Sequence, residues 1–264
     1  MEDKDWETFK IKLKQKTEID LDLYKEAQMK RRISNLVTRS PHKSFTAYFD
    51  AVAKNKEDFA EFIEYLTINV SEFFRNADKF SVLEKSIIPK LLKTSQRLTI
   101  WSAGCSIGAE PYSLAIIMKE LTPNVRHRIL ATDLDVEILA KARRGVYLDN
   151  EIKSMSKDRL QKYFTQTPDG KYAIKPEIKG LIEFRRHNLL KDRFETGFDL
   201  ILCRNVVIYF TEEAKAQLYS NFYNSLKPGG MLFVGATEAI LNYRKLGYTS
   251  SQPFFYEKPQ AEKK

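Results

Sequence analysis

Leu98-Thr99-Ile100-Trp101-Ser102-Ala103 is a short apolar run, and Gly104-Cys105-Ser106-Ile107-Gly108 follows it directly, with Glu110-Pro111 just beyond. The run suits a strand buried on both faces. The glycines permit a sharp turn, and proline fits the first turn of a helix. A strand leading through a glycine loop into a helix constrains the chain strongly, because a parallel partner strand must then be reached by a helical crossover. The pattern repeats. Residues 127–132 form a second strand ending in Asp133, and residues 198–203 a third, closed by Arg204-Asn205. Thr211-Glu212-Glu213 opens a helix with an N-cap residue and two early acids, and Lys227-Pro228-Gly229-Gly230 stops it. Residues 231–235 return as a strand, and Phe254-Phe255-Tyr256 offers a last one. The expected fold is a doubly wound α/β sheet.

Upstream the texture differs. Trp6, Phe9 and Leu13 recur at helical spacing, as do Phe45, Tyr48, Phe49 and Val52, then Phe59, Phe62, Ile63 and Leu66, then Phe80, Leu83, Ile87 and Leu91. An all-α N-terminal domain is expected over residues 1–80, and the α/β domain over 81–264. Within the latter, residues 163–167 and 171–174 flank Pro168-Asp169-Gly170 and read as a β-hairpin. It marks a small antiparallel β-subdomain inserted at about residues 155–185.

A chain of 264 residues has room for one catalytic domain and a small partner. No stretch approaches the roughly 18 consecutive apolar residues of a membrane helix, and the start carries no apolar signal core. Two cysteines, Cys105 and Cys203, and three histidines without ligand spacing argue for reduced thiols, no metal and a cytoplasmic setting. The formal charge is +9; through residue 80 there are 15 charges of each sign, and beyond it 29 basic against 20 acidic. That excess suits an acidic partner or a solvated basic surface. Lys25, Lys30, Arg31 and Arg32 gather on one helix, open to the same two readings.

Open α/β sheets bind ligands at the carboxyl ends of their strands, where the residue 104–108 loop and Asp133 both fall. The loop lacks the six-position dinucleotide spacing, and no G-x-x-x-x-G-K-[ST] phosphate loop occurs. A strand-end aspartate either caps a turn or accepts the two hydroxyls of a ribose. Together with the glycine loop it favours an adenosyl cofactor without phosphates.

At these residues the chain resembles the chemotaxis receptor methyltransferase (CheR) family. Asn69-Val70-Ser71-Glu72-Phe73-Phe74-Arg75 is similar to its N-x-[ST]-x-F-[FY]-R signature, and residues 101–113 to its cofactor loop. Ala131-Thr132-Asp133, His187-Asn188-Leu189-Leu190 and residues 203–210 complete an ordered set of five motifs. Ala109 departs from the first glutamate of Gly-Glu-Glu-Pro, and Ser71 stands where threonine is common; Glu110 and a hydroxyl are retained. The resemblance implies a Rossmann-like methyltransferase sheet with an inserted β-subdomain. It implies S-adenosylmethionine as cofactor, S-adenosylhomocysteine as product and receptor glutamates as substrate. Glu110 would meet the methionyl part and Asp133 the ribose; Asn188 and Leu189 would frame the adenine; Asn69, Ser71, Arg75, Arg204 and Asn205 would complete the pocket.

A glutamate carboxylate ordinarily titrates near pH 4.3 and is therefore ionised at neutral pH; a sulfonium methyl is already activated, so no general base is needed. Arg75 is expected to orient the substrate carboxylate through its planar donor fork, and Tyr209 to donate through its hydroxyl. A nucleic-acid methyltransferase is the alternative; Asn205 is followed by Val206-Val207 rather than the Pro-Pro-aromatic loop common in base amino-group methylation. A cofactor-binding adapter would be expected to lack Arg75 or Tyr209. By resemblance the basic helix would face acidic receptor helices. Some members of the family grip a receptor's C-terminal pentapeptide on the β-subdomain; compared with them the turn at residues 168–170 is short and glycine-poor, so the resemblance implies an enzyme that needs no receptor tether. A monomer without nucleic acid or membrane insertion is expected. Asp5-Trp6-Glu7-Thr8-Phe9 resembles a tether sequence but fits an amphipathic helix.

Overall fold

A computed structural model describes residues 2–67 and 71–260. By contact the chain forms two compact units, Met1–Ile68 with Val206–Leu218, and Asn69–Asn205 with Tyr219–Lys264.

The first unit is helical: α1 (Glu2–Thr17), α2 (Glu26–Arg39), α3 (Phe45–Val52) and α4 (Lys56–Thr67). Its core is aromatic. Trp6 and Phe9 are 1% and 0% exposed, with Trp6 5.0 Å from Phe45 and Phe9 5.6 Å from Phe49 between ring centroids. The Asp5 carboxylate accepts from the Phe45 and Thr46 amides at 2.7 and 3.2 Å, capping α3. Residues 5–9 therefore supply core and capping groups from a helix, as the amphipathic reading expects. Residues 206–218 join this unit by antiparallel pairing: Lys25 N–H donates to the Tyr209 carbonyl at 2.8 Å and Thr211 N–H to that of Leu23 at 3.0 Å. In the basic cluster, Arg32 spends its guanidinium on the Tyr65 carbonyl and ring, Lys30 pairs with Asp3 at 3.1 Å, and Arg31 stays exposed.

The second unit begins with α5 (Ala77–Val82), a π-helical turn (Leu83–Ile87) and α6 (Ile88–Leu92). These residues are helical, as their spacing predicts, but they pack on the sheet rather than extending the N-terminal bundle: Phe73, Phe74, Phe80, Leu83, Ile87 and Leu91 share one core with Ile100, Leu200 and Phe233. The sheet contains β1 (Thr99–Ala103), β2 (Arg128–Asp133), β6 (Ile182–Arg186), β7 (Phe198–Cys203), β8 (Leu226–Val234), β9 (Thr249–Gln252) and β10 (Phe255–Glu257), in the order β6-β2-β1-β7-β8-β10-β9. The first five are parallel and β10 runs antiparallel to both neighbours. Helices α7 (Ala109–Leu121), α8 (Val136–Arg144) and α12 (Glu212–Ser225) connect the strands. The doubly wound expectation holds, with the order reversing between β1 and β7.

The insertion is a three-stranded antiparallel sheet of β3 (Val146–Tyr147), β4 (Phe164–Gln166) and β5 (Tyr172–Ile174), order β3-β5-β4, with short helices α9 (Asp149–Ile152), α10 (Lys157–Tyr163) and α11 (Pro176–Lys179). The expected hairpin is present. Its third strand starts earlier than residue 155, and residues 182–186 form the edge strand β6 of the main sheet instead of belonging to the insertion. Among the described residues no helix is long and apolar enough to cross a membrane.

Candidate functional site

The strand order reverses between β1 and β7, and open sheets hold ligands at the carboxyl ends of the strands beside such a reversal. The loop after β1 is pinned to its neighbour, since the Gly104 and Cys105 amides donate to the Thr132 carbonyl at 2.8 and 2.9 Å. Gly104, Ser106 and Gly108 have φ of +78°, +49° and +86°, so the loop turns back through left-handed backbone before α7 starts. Here glycine at two of the three positions removes a steric cost. Four of the six non-glycine residues with positive φ among the described residues, Phe74, Asn76, Ser106 and Asn205, lie in or beside the motif segments. Each costs on the order of 1–2 kcal/mol, and such strain gathers at functional sites.

Asp133 stands half-buried at the end of β2. Its Oδ2 accepts from the Ser106 amide at 2.8 Å and its Oδ1 from the Asp135 amide at 3.1 Å. Burial pushes its carboxyl up to about 6, against the pull of these amides. A carboxylate has about four lone-pair sites, so beyond these amides it can still accept from a vicinal diol. His187 N–H donates to the Asp133 carbonyl at 2.9 Å, which brings the next loop alongside. There Asn188 is buried, its Oδ1 accepting from Leu190 N–H at 3.0 Å and its own amide donating to Asp192 at 2.8 Å; Leu189 is half-buried beside it.

Glu110, on the first turn of α7, accepts from Ser102 Oγ at 2.8 Å and from Arg204 Nη1 at 3.2 Å. The Arg204 side chain is only 3% exposed, and its guanidinium lies 4.7 Å from the Phe233 ring centroid and 5.3 Å from that of Phe80. Its Nη2 donates at 2.8 Å to both the Arg75 carbonyl and Asn76 Oδ1. Its Nε–H is buried with no acceptor. One cation thus links the α7 acid to the turn that presents Arg75. That turn is also held by Ser113 Oγ, which accepts from the Phe74 amide at 3.0 Å. Asn205 N–H donates to Glu238 Oε2 at 2.6 Å, and Gly235 N–H donates to the same oxygen at 2.9 Å.

The structure therefore gathers Glu110, Arg204, Asn205 and the Arg75 turn in one place, with Asp133 and Asn188 on the adjoining loops. Ser71 is half-buried four residues before Arg75. Tyr209 sits in a 3-10 turn (Val207–Tyr209) of the helical unit, and Asn69 lies outside the described residues. Sequence reasoning missed Ser102, Asn76 and Glu238. Glu238 was findable, because an acid in the loop after β8 lies at the same strand edge as Asp133. Cys105 and Cys203 are buried free thiols, and burial pushes both well up.

The profile of the CheR methyltransferase all-alpha domain matches residues 4–67, and that of the CheR methyltransferase SAM binding domain matches residues 69–255. A chemotaxis protein methyltransferase of Listeria innocua is 45% identical over 257 residues, covering 97% of this chain and 98% of that protein. Chemotaxis protein methyltransferase 1 of Pseudomonas aeruginosa is 35% identical over 249 residues, covering 90% and 91%. A chemotaxis protein methyltransferase of Salmonella typhimurium is 36% identical over 197 residues, covering 72% and 67%.

Proposed function

This chain belongs to the CheR methyltransferase family and is an S-adenosylmethionine-dependent methyltransferase of chemotaxis, and from that premise we propose that it esterifies glutamate side chains of methyl-accepting chemotaxis receptors. It acts in the cytoplasm as a monomer and without a receptor tether. Nothing in the matched proteins favours the nucleic-acid alternative.

The residues fit the cofactor on their own chemistry. The Asp133 carboxylate, fixed by two amides, suits the ribose diol. Glu110 suits the methionyl ammonium, and the orphaned Nε–H of Arg204 suits its carboxylate. Asn188 and Leu189 are assigned to the adenine, and Asn69, Ser71 and Asn205 to the remaining wall. When bound, S-adenosylmethionine supplies an electrophilic methyl group.

The chain's task is then alignment. Arg75 orients the incoming carboxylate by its guanidinium fork; no residue has to remove a proton, since glutamate arrives ionised. Positioning of this kind can contribute about 7–11 kcal/mol in favourable cases. Excluding water also matters, because a solvated carboxylate attacks poorly. Pairing to Arg75 must stay loose enough not to favour the ground state.

The observation that carries this reading is the Glu110–Arg204–Arg75 connection at the strand-order reversal. The test incubates the protein with donor labelled in its methyl group and a receptor cytoplasmic fragment, then adds alkali. Labelled methanol released from the receptor is expected. A base-stable product, or label in RNA or DNA, overturns the proposal.

A further inference from the structure

The inserted subdomain reaches into the turn that presents Arg75. Phe73 N–H donates to the Glu151 carbonyl at 2.9 Å, and the Phe73 ring lies edge-on to Tyr147 and Phe164 at 4.8 and 5.3 Å. Tyr147 in turn donates its hydroxyl to the Ile107 carbonyl of the glycine loop at 2.9 Å. The next ring, that of Phe74, lies 4.7 Å from the Arg159 guanidinium, which α10 carries. Arg159 Nη2 donates to Glu84 and Glu120, each at 2.6 Å, and its Nε to Glu120 at 3.0 Å. Glu84 belongs to the π-helical turn, a form that recurs at functional sites. Glu120 is in the last turn of α7, the helix whose first turn bears Glu110.

We infer that Arg159 is a positioning residue for methyl transfer: through the Phe74 ring it holds the left-handed turn that aims Arg75. Phe74 has a φ of +51°, and a bulky residue keeps that backbone only when its surroundings over-determine it. Ser113 fixes its amide, and Arg204 fixes the carbonyl of Arg75. The ring sits in the apolar core of the sheet, with Phe80 5.5 Å away and the Arg159 guanidinium as its cationic neighbour. Two carboxylates around one half-buried guanidinium hold that plane in place, and partial desolvation strengthens its attraction to the ring. The insertion is thereby a buttress for the reacting turn. The inference rests on the proposed role of Arg75.

The test compares Arg159→Ala, Arg159→Lys, Phe74→Leu, the Arg159→Ala/Phe74→Leu pair and Arg75→Ala in the full chain. Turnover of labelled donor on a receptor fragment is measured, with S-adenosylhomocysteine affinity by calorimetry. Arg159→Ala is expected to lower kcat on the order of 10- to 100-fold, the penalty of a reacting group misplaced by about 1 Å. Its product affinity should stay within about twofold, since no cofactor group is touched. Phe74→Leu keeps an apolar side chain but removes the ring, and should lose a similar factor. The double variant should be no slower than the worse single, as for two groups acting as one. Arg159→Lys retains the charge without the fork and keeps the test alive if the alanine variant does not fold; kcat should still fall. Wild-type kcat in a folded Arg159 variant, or parallel loss of product affinity and melting temperature with kcat per folded molecule unchanged, overturns the inference. If Arg75→Ala is slow while the Arg159 variants are not, positioning alone fails. If Arg75→Ala turns over normally, the reading of Arg75 fails and takes the inference with it.

Discussion

Acidification from pH 7.5 to 5 is expected to weaken S-adenosylhomocysteine binding by roughly tenfold through Asp133. Burial holds this carboxyl at about 6 although the Ser106 and Asp135 amides favour its anion. A diol donates to the carboxylate but competes with its proton. With that value about nine-tenths of the free protein is protonated at pH 5, so the dissociation constant rises by about one decade, or about 1.4 kcal/mol. The folded-state value lies above the unfolded one, so ionised Asp133 costs stability at neutral pH. That cost is relieved as pH falls through about 6 and is gone below the ordinary carboxyl value. At this residue, then, acid stabilises the free protein while loosening its ligand. Isothermal calorimetry across the pH range reads the first effect, and melting temperature without ligand reads the second. Asp133→Asn supplies the reference: it removes this titration and keeps His187, Asp135 and Glu110, although its NH2 group cannot accept from one of the two amides. It should bind more weakly at pH 7.5 and lose most of the pH slope in both affinity and melting temperature. A flat affinity profile in the parent protein, or an unchanged slope in Asp133→Asn, refutes the assignment.

Arg204→Ala leaves half-buried Glu110 without its cation and frees the Arg75 turn; a loss of about 3 kcal/mol is expected, read in a urea titration, together with loss of product binding. Trp6→Ala should cost about 3–5 kcal/mol by opening the aromatic core of the helical unit, whereas a surface motif would change stability by less than about 0.5 kcal/mol. A receptor-tail pentapeptide should give no heat on titration into the protein. The turn it would meet is tied down locally, with Thr167 Oγ1 on Asp169 at 2.5 Å and Lys171 on Asp169 at 2.8 Å; measurable binding would show that a tether is used.

Legibility in the sequence follows the range of the interactions. The β1 strand and glycine loop can be read because apolar runs and left-handed glycines are local properties. So can β7, whose six residues are all buried. The helices of 77–92 are legible as helices but not in their packing partner, since periodicity reports an apolar stripe and not what covers it. Strand β6 is hidden because Glu183, Arg185 and Arg186 are exposed at a sheet edge, where charge blunts the strand signal. The pairing of residues 23–25 with 209–211 spans most of the chain, and no local pattern encodes it. In the site, Asp133 is visible from its position at a strand end. The bond between Glu110 and Arg204 joins residues 94 apart and becomes visible only with the fold.

Arg204 has one guanidinium and three obligations, to Glu110, to the Arg75 carbonyl and to Asn76. In the proposed reading, the residues assigned to the methyl donor and those assigned to the acceptor therefore share a keystone. Genetic screens that strike this position will report a single collapsed phenotype, whichever half is being probed. Separating the two requires changes at the periphery of the arch, Ser102 on the donor flank and Asn76 on the acceptor flank, where each contact can be loosened while the other stands.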